Sequence, residues 1–164
     1  VLETDADICK QLEENRNNNK ANFFIENSAL SINKLIQKGW NTIPSEKLLK
    51  GYKWVKVITY EEITKKYNID FDTLVLDCEG AFYYILNDFP KILDNVNLII
   101  IENDYGSTDN KITKIKRKLK ITKGVHKHKQ YVDNKLLENN FFRSYVEAGG
   151  WGSCKKCFYE VWRK

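Results

Sequence analysis

Methionine is absent from the chain, and cysteine, proline and histidine number only four, two and two. Four cysteines among 164 residues do not make a disulfide framework and fit a reducing compartment. No apolar run approaches the length of a membrane span, and no secretory leader opens the chain, so either the protein is intracellular, with the cytoplasm expected, or a leader has been removed. Internal repeats and long linkers are also lacking, and one domain over 1–164 is the economical expectation. Hydrophobic residues make up 42% and charged residues 30%, which excludes wholesale disorder and suffices for a real core. The missing methionine accompanies abundant Asn, Lys and Ile. That bias belongs to AT-rich genomes, such as those of large viruses or protists, and carries no chemistry.

What is present is mildly basic. The net charge of +5 favours an anionic partner without establishing one. From Lys111 to Lys129 there are nine basic residues and no acid. Such a run is ordinarily a solvated face, and the lack of interleaved aromatics argues against a single-strand stacking platform. Nucleic acid is therefore not the expected partner. Cys154-Lys-Lys-Cys157 has metal-knuckle spacing, but its second pair would have to be His126 and His128. The stretch "GGWGSCKKCFYEVW" reads more simply as a hairpin turn entering a strand.

Along the chain, "VLE" reads as the end of a strand. "TDADICKQLEENRNNN" reads as a helix capped by Thr4 or Asp5. "ANFFIEN" reads as a short buried strand, and 28–54 as an irregular excursion. "WVKVIT" alternates like an edge strand. "YEEITKKYNI" is a short helix with Thr59 as cap. "FDTLVLD" and "VNLIIIE" are strands with almost no polar alternation. The helix between them ends near Asp88, where Pro90 interrupts or restarts it. Residues 107–120 have helical spacing, and "FFRSYVE" and "CFYEVW" form a closing antiparallel pair. Continuous apolar strands alternating with helices predict a mostly parallel sheet covered by helices on both faces.

In such sheets ligands bind beyond the carboxyl ends of the strands. The residues there are Glu3, Asn27 and Ser28, Asp77 to Glu79, and Glu102, Asn103 and Asp104, all but Cys78 oxygen carriers ending apolar runs. If the strands of Asp77 and Glu102 are neighbours, a spacing of about 4.8 Å brings their tips within side-chain reach.

"FDTLVLDCEGAFYYIL" followed by "VNLIIIEND" resembles the second half of the FkbM-type S-adenosylmethionine-dependent methyltransferases, which show Asp-x-Glu-Gly-Ala between a strand and a helix. "VLETDADICKQLEENRNNN" resembles that family's second strand and following helix, "FFIENSALS" its third strand and adenine-side loop, and "CFYEVWRK" its last antiparallel strand. The resemblance covers most of the chain except 30–56 and 105–140. It implies a Rossmann-like class I fold and S-adenosylmethionine as cofactor. It also implies O-methylation of a hydroxyl on a sugar or glycan. The family's first strand and glycine-rich loop have no counterpart here, so a fragment lacking them is expected. A narrower resemblance is to the methyltransferase domain that ends multidomain glycosyltransferases of chlorella viruses. It implies an attached glycosyltransferase domain and, for a virus, the cytoplasm of the infected host cell.

On this resemblance Glu3 accepts from the ribose hydroxyls, while Asn27 and Ser28 meet the adenine edge and Asp77 also borders the cofactor. Asp77 with Glu102 and Asn103 resembles the divalent site of catechol-type O-methyltransferases, whose hard oxygen ligands suit Mg²⁺ or Mn²⁺. A cation there lowers the pKa of a substrate hydroxyl. Without it, Asp77 or Glu79 serves as general base. Trp40, Tyr52, Trp54, Tyr105 and Trp151 are candidate stacking surfaces for sugar faces. Two readings compete: an RNA methyltransferase using the basic run, and a non-catalytic methyltransferase-like binding module.

Overall fold

The structure, a computed structural model, describes residues 1–103, 127–149 and 158–164. The chain is mixed α/β, and its backbone divides into two compact units, Val1–Asp70 and Phe71–Lys164.

The first unit opens with a single parallel bridge between Leu2 and Glu26. Helix α1, Ala6–Asn18, follows at once because Asp5 caps it, accepting from the N–H groups of Asp7 and Ile8. Asn19 closes it, as the asparagine run suggests. Around Glu26 the expected buried strand is reduced to that bridge, and Phe24 is 52% exposed.

The segment read as irregular is in fact ordered. Strands β1 (Ala29–Leu30), β2 (Leu35–Lys38), β3 (Asn41–Pro44), β4 (Lys53–Val55) and β5 (Val57–Ile58) follow one another. β3, β2 and β4 make an antiparallel sheet in that order. Its first turn has only two residues, Gly39 and Trp40, and Gly39 takes the positive φ of +55° that a side chain resists. The stretch 54–59, expected as one edge strand, is split at Lys56. β4 joins the antiparallel sheet, while β5 pairs in parallel with β1. Helix α2, Tyr60–Tyr67, starts in a capping box between Thr59 and Glu62 and ends at Asn68 in the left-handed conformation.

The second unit holds β6 (Thr73–Asp77), α3 (Phe82–Asp88), a 3₁₀ turn (Pro90–Leu93), β7 (Leu98–Glu102), α4 (Lys127–Glu138), β8 (Phe142–Glu147) and β9 (Tyr159–Arg163). Pro90 sits at the start of the 3₁₀ turn, where its missing N–H costs nothing. The sheet order is β6-β7-β9-β8. β6 and β7 are parallel, while β9 runs against both β7 and β8. The closing antiparallel pair is thus as expected.

Two features of the expected sheet differ. Among the described residues only β1–β5 and β6–β7 are parallel strand pairs; the other four pairings are antiparallel. The excess comes from the meander at 35–55 and from β9. Among the described residues, helices cover one face of the four-stranded sheet. That face carries Ile99, Ile101, Glu160 and Trp162, all at most 1% exposed, beneath Phe82, Leu86, Val132 and Leu136. Pairing register places Val75, Ile100, Val161 and Tyr145 on the opposite face, where Val75 is 72% exposed.

Candidate functional site

The strand-end residues fall into two groups, one in each unit. In the second unit the parallel register sets Asp77 directly beside Glu102. Adjacent residues of neighbouring strands share a face, so both carboxylates leave the sheet on its open side. The same register row continues through Tyr159 to Glu147. Asp77 is exposed, and its carboxylate makes no hydrogen bond among the described residues. Nor does it cap the next helix: α3 begins at Phe82 behind Ala81 and lacks any side-chain cap. Glu102 is half-buried, and the next residue, Asn103, is fully buried, with its N–H donating to Phe158 O at 2.7 Å.

The turn after Asp77 is unusual. Glu79 precedes α3 by three residues and adopts φ +51°. Gly80 follows at φ +78°. Two consecutive left-handed residues bring the chain sharply off the strand end. Glycine takes that conformation freely, whereas at Glu79 it is strained. Cys78 lies in the same turn, and burial pushes its thiol up to about 11, which removes it as a nucleophile at neutral pH.

In the first unit Glu3 lies just past the Leu2 bridge. One carboxylate oxygen, Oε1, accepts the Asp5 N–H at 2.7 Å and faces Thr4 Oγ1 at 3.5 Å. The other, Oε2, has no partner among the described residues. Asn27 donates from Nδ2 to Glu3 O at 2.9 Å, which locks the two strand ends together and engages the amide expected to meet adenine. Ser28 is 1% exposed, and its hydroxyl has no hydrogen-bond partner. The donors and acceptors left over here are a carboxylate oxygen and a buried hydroxyl. Their chemistry fits a ligand carrying a diol and N–H groups, as a nucleoside does.

Two charged networks were not anticipated. Glu26, 3% exposed, accepts from Lys66 Nζ at 2.6 Å, Tyr67 Oη at 2.7 Å and Lys56 Nζ at 3.3 Å. Led by the Lys66 hydrogen bond, these partners lower its pKa to about 2. In the second unit Lys129, 1% exposed, lies on α4 rather than on a solvated face. It pairs with Glu160 Oε2 at 2.7 Å and with Asp133, and Arg143 reaches Glu160 Oε1 at 3.1 Å. Burial raises the Asp133 pKa against the pull of Lys129. A charged residue inside the apolar run "CFYEVW" was the one local signal of this network.

His128, the candidate partner of the cysteine pair that lies among the described residues, is helical and stacks on Tyr83 with ring centroids 3.8 Å apart. Burial lowers its pKa. The Cys154–Cys157 pair, His126, Asp104, Tyr105, Trp151, the helix expected at 107–120 and the basic run as far as Lys123 lie outside the described residues.

Among the described residues no three His, Cys, Asp or Glu side chains are grouped to hold a metal ion, and no helix is long and apolar enough to cross a membrane. No family model, curated protein or solved structure matches the chain.

Proposed function

We propose that the chain is an S-adenosylmethionine-dependent O-methyltransferase acting on a sugar or glycan hydroxyl, with a Rossmann-like arrangement of its sheet. The observation that carries the reading is the in-register end of β6 and β7, which sets Asp77 beside Glu102 at the carboxyl edge of a parallel pair. The strand order β6-β7-β9-β8 with β9 reversed, and the strained Glu79–Gly80 turn directly after Asp77, support it. The leftover oxygens around Glu3 support a nucleoside-bearing cofactor.

When bound, S-adenosylmethionine supplies a methyl group on a sulfonium. Glu3 Oε2 would accept from the ribose diol, with the carboxylate held by the Asp5 N–H on its other oxygen. Asp77 would hold the acceptor hydroxyl and take its proton, while the cofactor would supply the methyl group and leave as a neutral thioether. Glu102, beside it, accepts from a neighbouring hydroxyl of the sugar and fixes which oxygen faces the donor. The two carboxylates also suit Mg²⁺ or Mn²⁺ sharing its coordination sphere with water and substrate oxygens.

Two measurements test this. Calorimetry with S-adenosylhomocysteine should show binding by the intact chain; its absence overturns the reading. With a methylated glycan identified, Asp77→Asn should lower turnover by about 100-fold or more, the usual contribution of a general base, and leave the melting temperature unchanged. Turnover that survives EDTA removes the metal and retains Asp77.

A further inference from the structure

The meander β3-β2-β4 is tied at two points to the turn carrying Glu3. Lys53 on β4 pairs with Asp5 Oδ2 at 2.9 Å, but both side chains are solvent-exposed, and such pairs hold geometry weakly. Gln37 on β2 is different. It is buried, it donates from Nε2 to Thr4 Oγ1 at 3.0 Å, and its Oε1 has no hydrogen-bond partner. Having accepted from Gln37, the Thr4 hydroxyl points its own proton at Glu3 Oε1, 3.5 Å away. The donors therefore run one way, from amide to hydroxyl to carboxylate, and end on the same Glu3 oxygen that takes the Asp5 N–H. Two donors on Oε1 orient the carboxylate and leave Oε2 as the acceptor for an incoming ligand.

We propose that Gln37 is a positioning residue for recognition of a ribose: through Thr4 it fixes Glu3 to receive a vicinal diol. This rests on the nucleoside role proposed for Glu3. No residue near Gln37 in sequence hints at it, because Gln37 and Thr4 are 33 positions apart.

The test compares S-adenosylhomocysteine with its 3′-deoxyribose analogue by calorimetry on the full chain. The wild-type chain should prefer the intact ribose by about tenfold or more, the worth of a hydrogen bond to a charged acceptor. Gln37→Leu and Thr4→Val should each reduce that preference to about two- or threefold, since the carboxylate then loses its aim, whereas Thr4→Ser should preserve it. Circular dichroism and melting temperature establish that each variant folds. If Gln37→Leu does not fold, the Thr4→Val and Thr4→Ser pair decides alone. A role confined to packing would shift melting temperature and leave the preference intact, and that outcome overturns the inference. Wild-type chain that binds neither ligand removes the nucleoside reading and this inference with it. Binding with an unaltered preference in Thr4→Val removes only the inference.

Discussion

Each unit buries one glutamate, and the two do so by opposite means. Glu26 is reached from outside: Lys66 and Lys56, whose side chains are 50% and 68% exposed, bend onto it from solvent. Glu160 is fully enclosed and so is its main partner, Lys129. The first arrangement leaves the cations hydrated and costs little desolvation. The second removes both charges from water, which pays off only while every partner is in place. The surroundings match. The first unit is stitched from strands of two to four residues and many polar ties. The second packs five- and six-residue strands against two helices, and α4 is pinned to β9 through the buried pair. The enclosed pair thus lies beneath the sheet whose other face ends in Asp77 and Glu102.

Removing one partner of the enclosed pair should therefore have the largest effect. Lys129→Met leaves Glu160 as a buried charge and should destabilise the second unit by about 3–5 kcal/mol in chemical denaturation. Adding Glu160→Leu to it should recover most of the loss, since a well-packed apolar pair often matches a buried ion pair. A double variant no better than the single one would show that packing at Trp162, and not charge, was lost.

The half-open network should respond less and with a clear pH signature. Glu26→Gln should cost about 2 kcal/mol, the range for hydrogen bonds to a charged group. The native pKa of Glu26 lies at about 2, below the ordinary 4.5. Its contribution is therefore complete above 4.5 and is lost as pH falls from 4.5 toward 2. Urea midpoints of wild-type and Glu26→Gln chains should converge across that interval. Parallel curves down to pH 2.5 would mean that Glu26 is not held in this way.

Local signals carried much of the fold. The capping of α1 by Asp5, the Thr59 start of α2, the Pro90 break and the closing antiparallel pair all rest on contacts within a few residues. β6 and β7 were legible as continuous apolar runs ended by carboxylates. The neighbouring of Asp77 and Glu102 followed once the two were taken as a parallel pair. The meander was not legible, because β2 and β3 are four residues each and β4 three, joined through a two-residue turn and broken at Lys56. Short strands leave too little alternation to stand out. Gln37–Thr4 has no local trace, and Lys129–Glu160 has only the glutamate set in an apolar run, since 33 and 31 residues separate the partners. In the site, then, the acids could be read from strand ends, and the groups that hold them could not.

The smallest expected effect isolates the backbone at the candidate site. Asn68 and Glu79 share φ +51°, one in each unit. Asn68 closes α2, a place where asparagine adopts the left-handed conformation readily. Glutamate adopts it less readily, so Glu79 carries the backbone strain two residues after Asp77. Comparing Gly with Ala at each position separates strain from side-chain loss. Glu79→Gly should be more stable than Glu79→Ala by about 1 kcal/mol, because only alanine retains a Cβ in that conformation. The same pair at position 68 should differ by a similar amount. Native asparagine should lie close to glycine there, whereas native Glu79 should lie near alanine on the stability scale. Should wild-type Glu79 prove as stable as Glu79→Gly, its side chain offsets the strain through its own contacts, and the turn is a structural feature that needs no catalytic explanation.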